Sequence, residues 1–255
     1  MSWTGGRIGP FATCVLAPNP GIMTLDGTNS WVLRAPGGRS AVVDPGPLDE
    51  GHLVNVLSVA APVAVVLVTH RHGDHTDGAH RFAQLAHAPV RAVDPAHRSG
   101  SEGLVDGEEV HVDGLRLQVL ATPGHTDDSV SFLLPDANAL LSGDTVLGAG
   151  TTVVAHPDGQ LGAYLSSLRR LLALAESGAM TSVWPGHGPV VRDAAAALRG
   201  YLAHREARLA QVRDAVAAGA TSAREVVERV YADVDPALWA AAEQSVRAQL
   251  AYLRR

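Results

Sequence analysis

Apolar and polar positions along this chain fall into two regimes. Up to about residue 192, short Val- and Leu-rich runs alternate with turns marked by Gly and Pro. Beyond about residue 199 the strand and Gly-turn signals stop, and apolar residues recur at helical spacing. In the first regime the pattern predicts strands over 13–17, 30–34, 41–44, 63–68, 90–93, 110–112, 115–120, 129–134, 139–145 and 182–188. It predicts helices over 50–60, 79–86 and 162–175, the last with Leu165, Leu168, Leu172 and Ala175 on one face. In the second regime a helix is expected over 199–217 and is interrupted at Gly219. A second helix opens on the capping-box pattern Ser222-Ala223-Arg224-Glu225, and a third on Pro236. The expected division is a mixed domain over 1–198 and a small helical appendage over 199–255.

The polar interruptions carry the chemistry. The apolar run Val63-Ala64-Val65-Val66-Leu67-Val68 ends in Thr69-His70-Arg71-His72-Gly73-Asp74-His75. Imidazole nitrogens and carboxylate oxygens packed this closely suit zinc, and also iron or manganese. A buried strand fixes the position of the loop that leaves it, so ligands there are held in place. Three later strand ends repeat the theme of a Gly beside a His or Asp: Gly124-His125, Gly143-Asp144 and Gly186-His187. A further strand ends in Asp44. The long turn-rich segment 19–29 is placed to border a site mouth.

Composition narrows the alternatives. The chain has 255 residues and is 46% hydrophobic, enough for one large core plus an appendage. Its net charge of −6 leaves no global basic field for nucleic acid, so any such contact would be local. Every basic residue is Arg, which with the abundant Ala suggests a high-GC bacterial genome. The single cysteine, Cys14, excludes an intramolecular disulfide and sits in an apolar stretch. The N-terminus has no basic region followed by an apolar core, and no apolar run reaches the roughly 20 residues that span a bilayer. A cytoplasmic protein without membrane contact is the expectation.

Asp44, the His70-x-His72-x-Asp74-His75 loop, His125, Asp144 and His187 resemble, in type, order and strand-end context, the five motifs of the metallo-β-lactamase superfamily. The segments Met23-Thr24-Leu25-Asp26-Gly27-Thr28-Asn29 and Gly150-Thr151-Thr152-Val153-Val154, and the helical tail, are similar to the lactamase-beta-2-like branch, which is related to glyoxalase II. The resemblance implies an α/β (α+β) fold, a four-layer αββα sandwich with a winged-helix-like C-terminal appendage. It implies that His70, His72 and His125 hold one divalent metal ion, that Asp74, His75 and His187 hold a second, and that Asp144 bridges them. Asp44 would orient ligands by hydrogen bonding, and Asp74 would double as a proton acceptor. Two divalent ions, zinc first and iron or manganese as alternatives, would bridge a water and lower its pKa towards ~7.

The same residues disfavour some relatives. Cys14 is far from every motif, against the antibiotic-destroying enzymes that use a Cys ligand. His72 stands where flavin-linked diiron proteins carry Glu. No segment is long enough for the inserted domain of messenger-RNA-end nucleases. The leading expectation is a metal-dependent hydrolase, with single-stranded RNA, as in endoribonucleases of the branch, as one candidate substrate. The alternative is a glyoxalase II-like or other acyl thioesterase acting on a small ester or thioester. A mononuclear iron oxygenase, and a metal-independent binding module whose tail docks nucleic acid or protein, are competing classes, and a homodimer is compatible with any of them. Thr28, Asn29 and His156 are weaker candidates for substrate contact.

Overall fold

The computed structural model describes residues 2–254. Its strands are β1 (Gly6–Ile8), β2 (Ala12–Leu16), β3 (Asn29–Arg34), β4 (Ser40–Val43), β5 (Val63–Leu67), β6 (Val90–Arg91), β7 (Glu109–Val112), β8 (Leu115–Ala121), β9 (Val130–Leu134), β10 (Ala139–Gly143) and β11 (Ser182–Pro185). Its α-helices are α1 (Glu50–Ala60), α2 (Gly73–Thr76), α3 (Ala79–Ala86), α4 (Leu161–Glu176), α5 (Ala194–Ala217), α6 (Ala223–Val230) and α7 (Trp239–Leu253).

One sheet has the order β1-β2-β3-β4-β5-β6 and the other β11-β10-β9-β8-β7. The parallel pairs β4–β5, β5–β6 and β10–β11 are each bridged by helix, as parallel neighbours require. The sheets pack face to face. Trp31, Leu33, Val43 and Leu67 from one meet Leu117, Val119, Phe132, Leu141 and Trp184 from the other. Trp31 and Trp184 stack with centroids 5.3 Å apart. Helices α1 and α3 cover the first sheet's outer face through Leu53, Val56 and Phe82. Helices α4 and α5 cover the second's through Tyr164, Leu168 and Leu198. This is the expected αββα arrangement. Strands β4, β9 and β10 are buried on both faces, which is why they read as mostly apolar runs without polar alternation.

Three local features differ from the sequence pattern. β1 is a mostly exposed edge strand containing Gly6, with no apolar alternation to announce it. The metal loop is not wholly irregular, since residues 73–76 form the single turn α2. Helix α5 starts at Ala194, where the Asp193 side chain accepts from Ala196 N at 2.9 Å, so the expected boundary at 198/199 falls inside a continuous helix. The tail's own core is built from Val212, Val226, Val227 and Val246, with Tyr231 and Trp239 against it. Ser222 caps α6 as its sequence predicts, accepting from Glu225 N at 3.2 Å. Among the described residues no helix is long and apolar enough to cross a membrane.

Candidate metal centre

The predicted ligands converge on one rim of the sandwich because they follow the ends of β4 and β5, which run parallel in one sheet, and of β8, β10 and β11, which share one direction in the other. Close packing enforces the turn carrying His125. At Gly124, φ is +138°, and a Cβ would lie 2.3 Å from Tyr164 Cα on α4, so only glycine fits there.

Three imidazoles form one triad. His70 Nε2 and His125 Nε2 each stand 3.0 Å from His72 Nδ1. Three nitrogens this close, with no carboxylate among them, are what a cation coordinated by three His would draw together. Asp74, His75 and His187 form a second group, with His187 Nε2 3.1 Å from Asp74 Oδ2 and His75 Nε2 3.4 Å from it. Asp144 lies between the two. Its carboxylate is 3.5 Å from His75, 3.3 Å from His187 and 3.7 Å from His125. Its buried Oδ1 has no hydrogen-bond donor, as an oxygen reserved for a cation would.

Outer hydrogen bonds set which nitrogen of each ring faces inward. Thr69 Oγ1 donates its one proton to Asp44 Oδ2 at 2.7 Å, so it accepts from His70 Nδ1–H at 3.0 Å and leaves His70 Nε2 free. His75 Nδ1 donates to Asp44 at 2.9 Å, His125 Nδ1 to Val153 O at 2.9 Å, and His187 Nδ1 to Gly27 O at 3.1 Å. Each of these bonds leaves the inward Nε2 available, the arrangement that orients metal-binding histidines. Asp44 is buried, accepts also from Thr69 N at 2.8 Å, and holds φ +52°, a conformation Asp tolerates better than most residues.

Charge divides the site. Burial, reinforced by the positive charge of His75, holds His70 well below the ordinary imidazole value. Burial and His125 also depress His72. For His187, burial works downward but is outweighed by Asp144 and Asp74, which raise it to about 9. His75 is likewise raised against the pull of burial, by Asp74, Asp144 and Asp44. Burial opposes ionisation of Asp74 and Asp144, but the neighbouring His75 and His187 hold both below the usual carboxylate range. The three-His group is therefore a neutral donor set. The carboxylate-bearing group is an anionic set whose charge protons balance until a cation replaces them.

The family model of the metallo-beta-lactamase superfamily matches residues 23–187, and that of the beta-lactamase associated winged helix domain matches residues 222–255. The chain belongs to the metallo-beta-lactamase superfamily. A Beta-lactamase-like protein 2 homolog of Caenorhabditis elegans is 32% identical over 94% of this chain and 83% of its own length. An Atrochrysone carboxyl ACP thioesterase of Aspergillus chevalieri is 32% identical over 89% of this chain and 75% of its own. A metallo-beta-lactamase family protein of Thermus thermophilus superposes with a TM-score of 0.79 at 25% identity, covering 96% of this chain and 93% of that one.

As a metallo-beta-lactamase superfamily member, the chain has donors for divalent cations, and His70, His72, Asp74, His75, His125, Asp144 and His187 are all within this one centre. The weaker candidates take three different places. Asn29 is fully buried. Its amide donates to Pro185 O and Gly188 O, and its oxygen accepts from Trp3 Nε1, so it braces strand ends and does not face the cleft. Thr28 is also buried, with its hydroxyl 3.2 Å from Asp74 Oδ2, and it steadies a ligand. His156 is exposed and borders a small cavity against α7, with Ala248 and Tyr252 opposite. Thr69 and the carbonyls of Gly27 and Val153 went unnoticed in the sequence. Only Thr69, adjoining the His-rich loop, had a signal that could have found it.

Proposed function

We propose that this chain is a dinuclear metal-dependent hydrolase of acyl thioesters or related small esters. The observation that carries the hydrolase reading is Asp144, set between a three-His group and an Asp-His-His group with one buried oxygen that receives no hydrogen bond. When bound, two divalent ions supply Lewis acidity and a hydroxide nucleophile at neutral pH. The chain's own residues do the rest. The outer bonds from Asp44, Thr69, Val153 and Gly27 hold the donors in place, so little reorganisation is needed during reaction. Asp74 has 28% of its side chain exposed and stands at the cleft, where it can take the proton lost by the attacking water and return it to the departing thiolate.

Two features favour an acyl substrate. The likeness to an acyl-carrier thioesterase runs over most of the chain. The segment before Thr28 exposes Ile22 and Met23, apolar groups suited to an acyl chain. The single-stranded RNA reading has less support. In the tail, Arg208 donates to Val230 O and lies over the Tyr231 ring, and Arg224 pairs with Glu228 over Trp239. Those two aromatic faces and their cations are engaged with each other and not presented to bases. The discriminating experiment offers metal-loaded protein a panel of acyl thioesters, with thiol release as readout, and a fluorescent single-stranded RNA in parallel. Thioester hydrolysis that disappears in Asp74→Asn is the expected result. RNA cleavage without thioester turnover would overturn the substrate assignment, and full activity of Asp74→Asn the dinuclear one.

A further inference from the structure

We infer that Arg205, a residue of the helical tail, is a positioning residue for the metal centre and acts through Thr152. Arg205 lies mid-way along α5 and is 8% exposed. Burying a guanidinium is costly unless it is paired. Yet among the described residues no carboxylate forms an ion pair with Arg205, and its Nε has no hydrogen-bond partner. Its hydrogen bond falls on one short segment of the catalytic domain and its ring contact on the helix beneath. Its Nη2 donates to Thr152 O, and its guanidinium sits 5.1 Å from the centroid of the Tyr164 ring.

That segment is tied to ligands of both groups. The Thr152 hydroxyl donates to the main-chain carbonyl of Asp144 at 2.7 Å. The carbonyl of the next residue, Val153, accepts from His125 Nδ1 at 2.9 Å. Tyr164, beneath the guanidinium, donates to Thr145 O at 2.7 Å, next to Asp144. One turn earlier on α5, the Tyr201 hydroxyl accepts from Leu147 N at 2.8 Å. Tyr201 and Arg205, on one face of α5, therefore hold Leu147 and Thr152, and Tyr164 of α4 holds Thr145, with Asp144 bonded to Thr152 and His125 to the residue after it. By contrast, Arg208 and Arg229 donate to the carbonyls of Val230, Ala215 and Ala218, at helix ends of the tail itself. Arg205 thus connects the tail to ligands that come from two different loops of the sandwich.

The test uses the full chain with cobalt(II) as a spectroscopic probe. Arg205→Met, Arg205→Lys, Thr152→Val and the Arg205→Met/Thr152→Val pair are titrated with the metal while the visible spectrum is followed, and the metal-free proteins are melted alongside. The expected result is an altered cobalt spectrum and weaker uptake in Arg205→Met, by up to the roughly 10- to 100-fold that losing a direct outer partner of a metal ligand costs. Thr152→Val should show the same change, the pair no further loss, and Arg205→Lys partial rescue. A parental spectrum and affinity in Thr152→Val overturns the inference, including if Arg205→Met fails to fold. So does full additivity in the pair. The inference rests on the metal-binding reading. A parent that takes up no cobalt refutes that reading, whereas a parent that binds cobalt and variants identical to it refute only the role of Arg205.

Discussion

Gly186 offers the sharpest perturbation of the centre that replaces none of its His or Asp residues. It follows β11, with its N–H donating to Gly143 O at 2.9 Å. A Cβ built there would stand 2.5 Å from Asp144 Oδ1 and 2.7 Å from His75 Cε1. Ordinary contact begins near 3.4 Å, so the Asp144 carboxylate would have to retreat by about 0.9 Å. His75 cannot make room easily, being wholly enclosed and tied to Asp44 at 2.9 Å. Metal–ligand distances tolerate only about 0.2 Å, and misplacing reacting groups by about 1 Å costs on the order of 100-fold in rate. That factor corresponds to about 2.7 kcal/mol of lost transition-state stabilisation. Overpacking adds roughly 1–3 kcal/mol of destabilisation. Gly186→Ala should therefore lose metal at a chelator concentration the parent withstands, turn over about 100-fold more slowly when saturated with metal, and melt at a lower temperature. Metal content after dialysis, chelator competition and single-turnover kinetics check this. A variant that retains parental metal content and turnover would refute the claim that this close approach sets the Asp144 position.

Three further expectations follow from the same geometry. Asp44→Asn places an NH2 where Thr69 or His75 now donates, and should weaken metal uptake about 10- to 100-fold by calorimetry while the fold persists. Metal binding at pH 7 should release protons, because His187, raised to about 9, and His75 must give theirs up to coordinate; titrations in buffers of different ionisation enthalpy measure the number. The metal-free protein should show linked stability. The raised His187 contributes fully below its unfolded value near 6.5, and that contribution is lost as pH climbs through about 9; the depressed Asp74 and Asp144 contribute above about 3.8, and theirs is lost as pH falls further. Thermal melts across pH in the presence of chelator test both limbs.

The residues themselves determined much of this protein. Metal coordination demands particular atoms, so His70, His72, Asp74, His75, His125, Asp144 and His187 announce themselves by type, and their places after apolar runs put them on one sheet rim. Strand and helix periodicities are local, which is why α1 and α3 were legible to the residue, and why β1, exposed and Gly-containing, was not. What holds the ligands was decided only in three dimensions. The partners of His125 and His187 are main-chain carbonyls of Val153 and Gly27, and every residue carries such a carbonyl, so no side chain marks them. Asn29 looked like a cleft residue and became an internal brace because β3 begins beneath the turn after β11. Arg205 reads in sequence as one polar position of a helix. Only the packing of α5 on the second sheet buries it against Thr152 and brings the tail within reach of the metal centre.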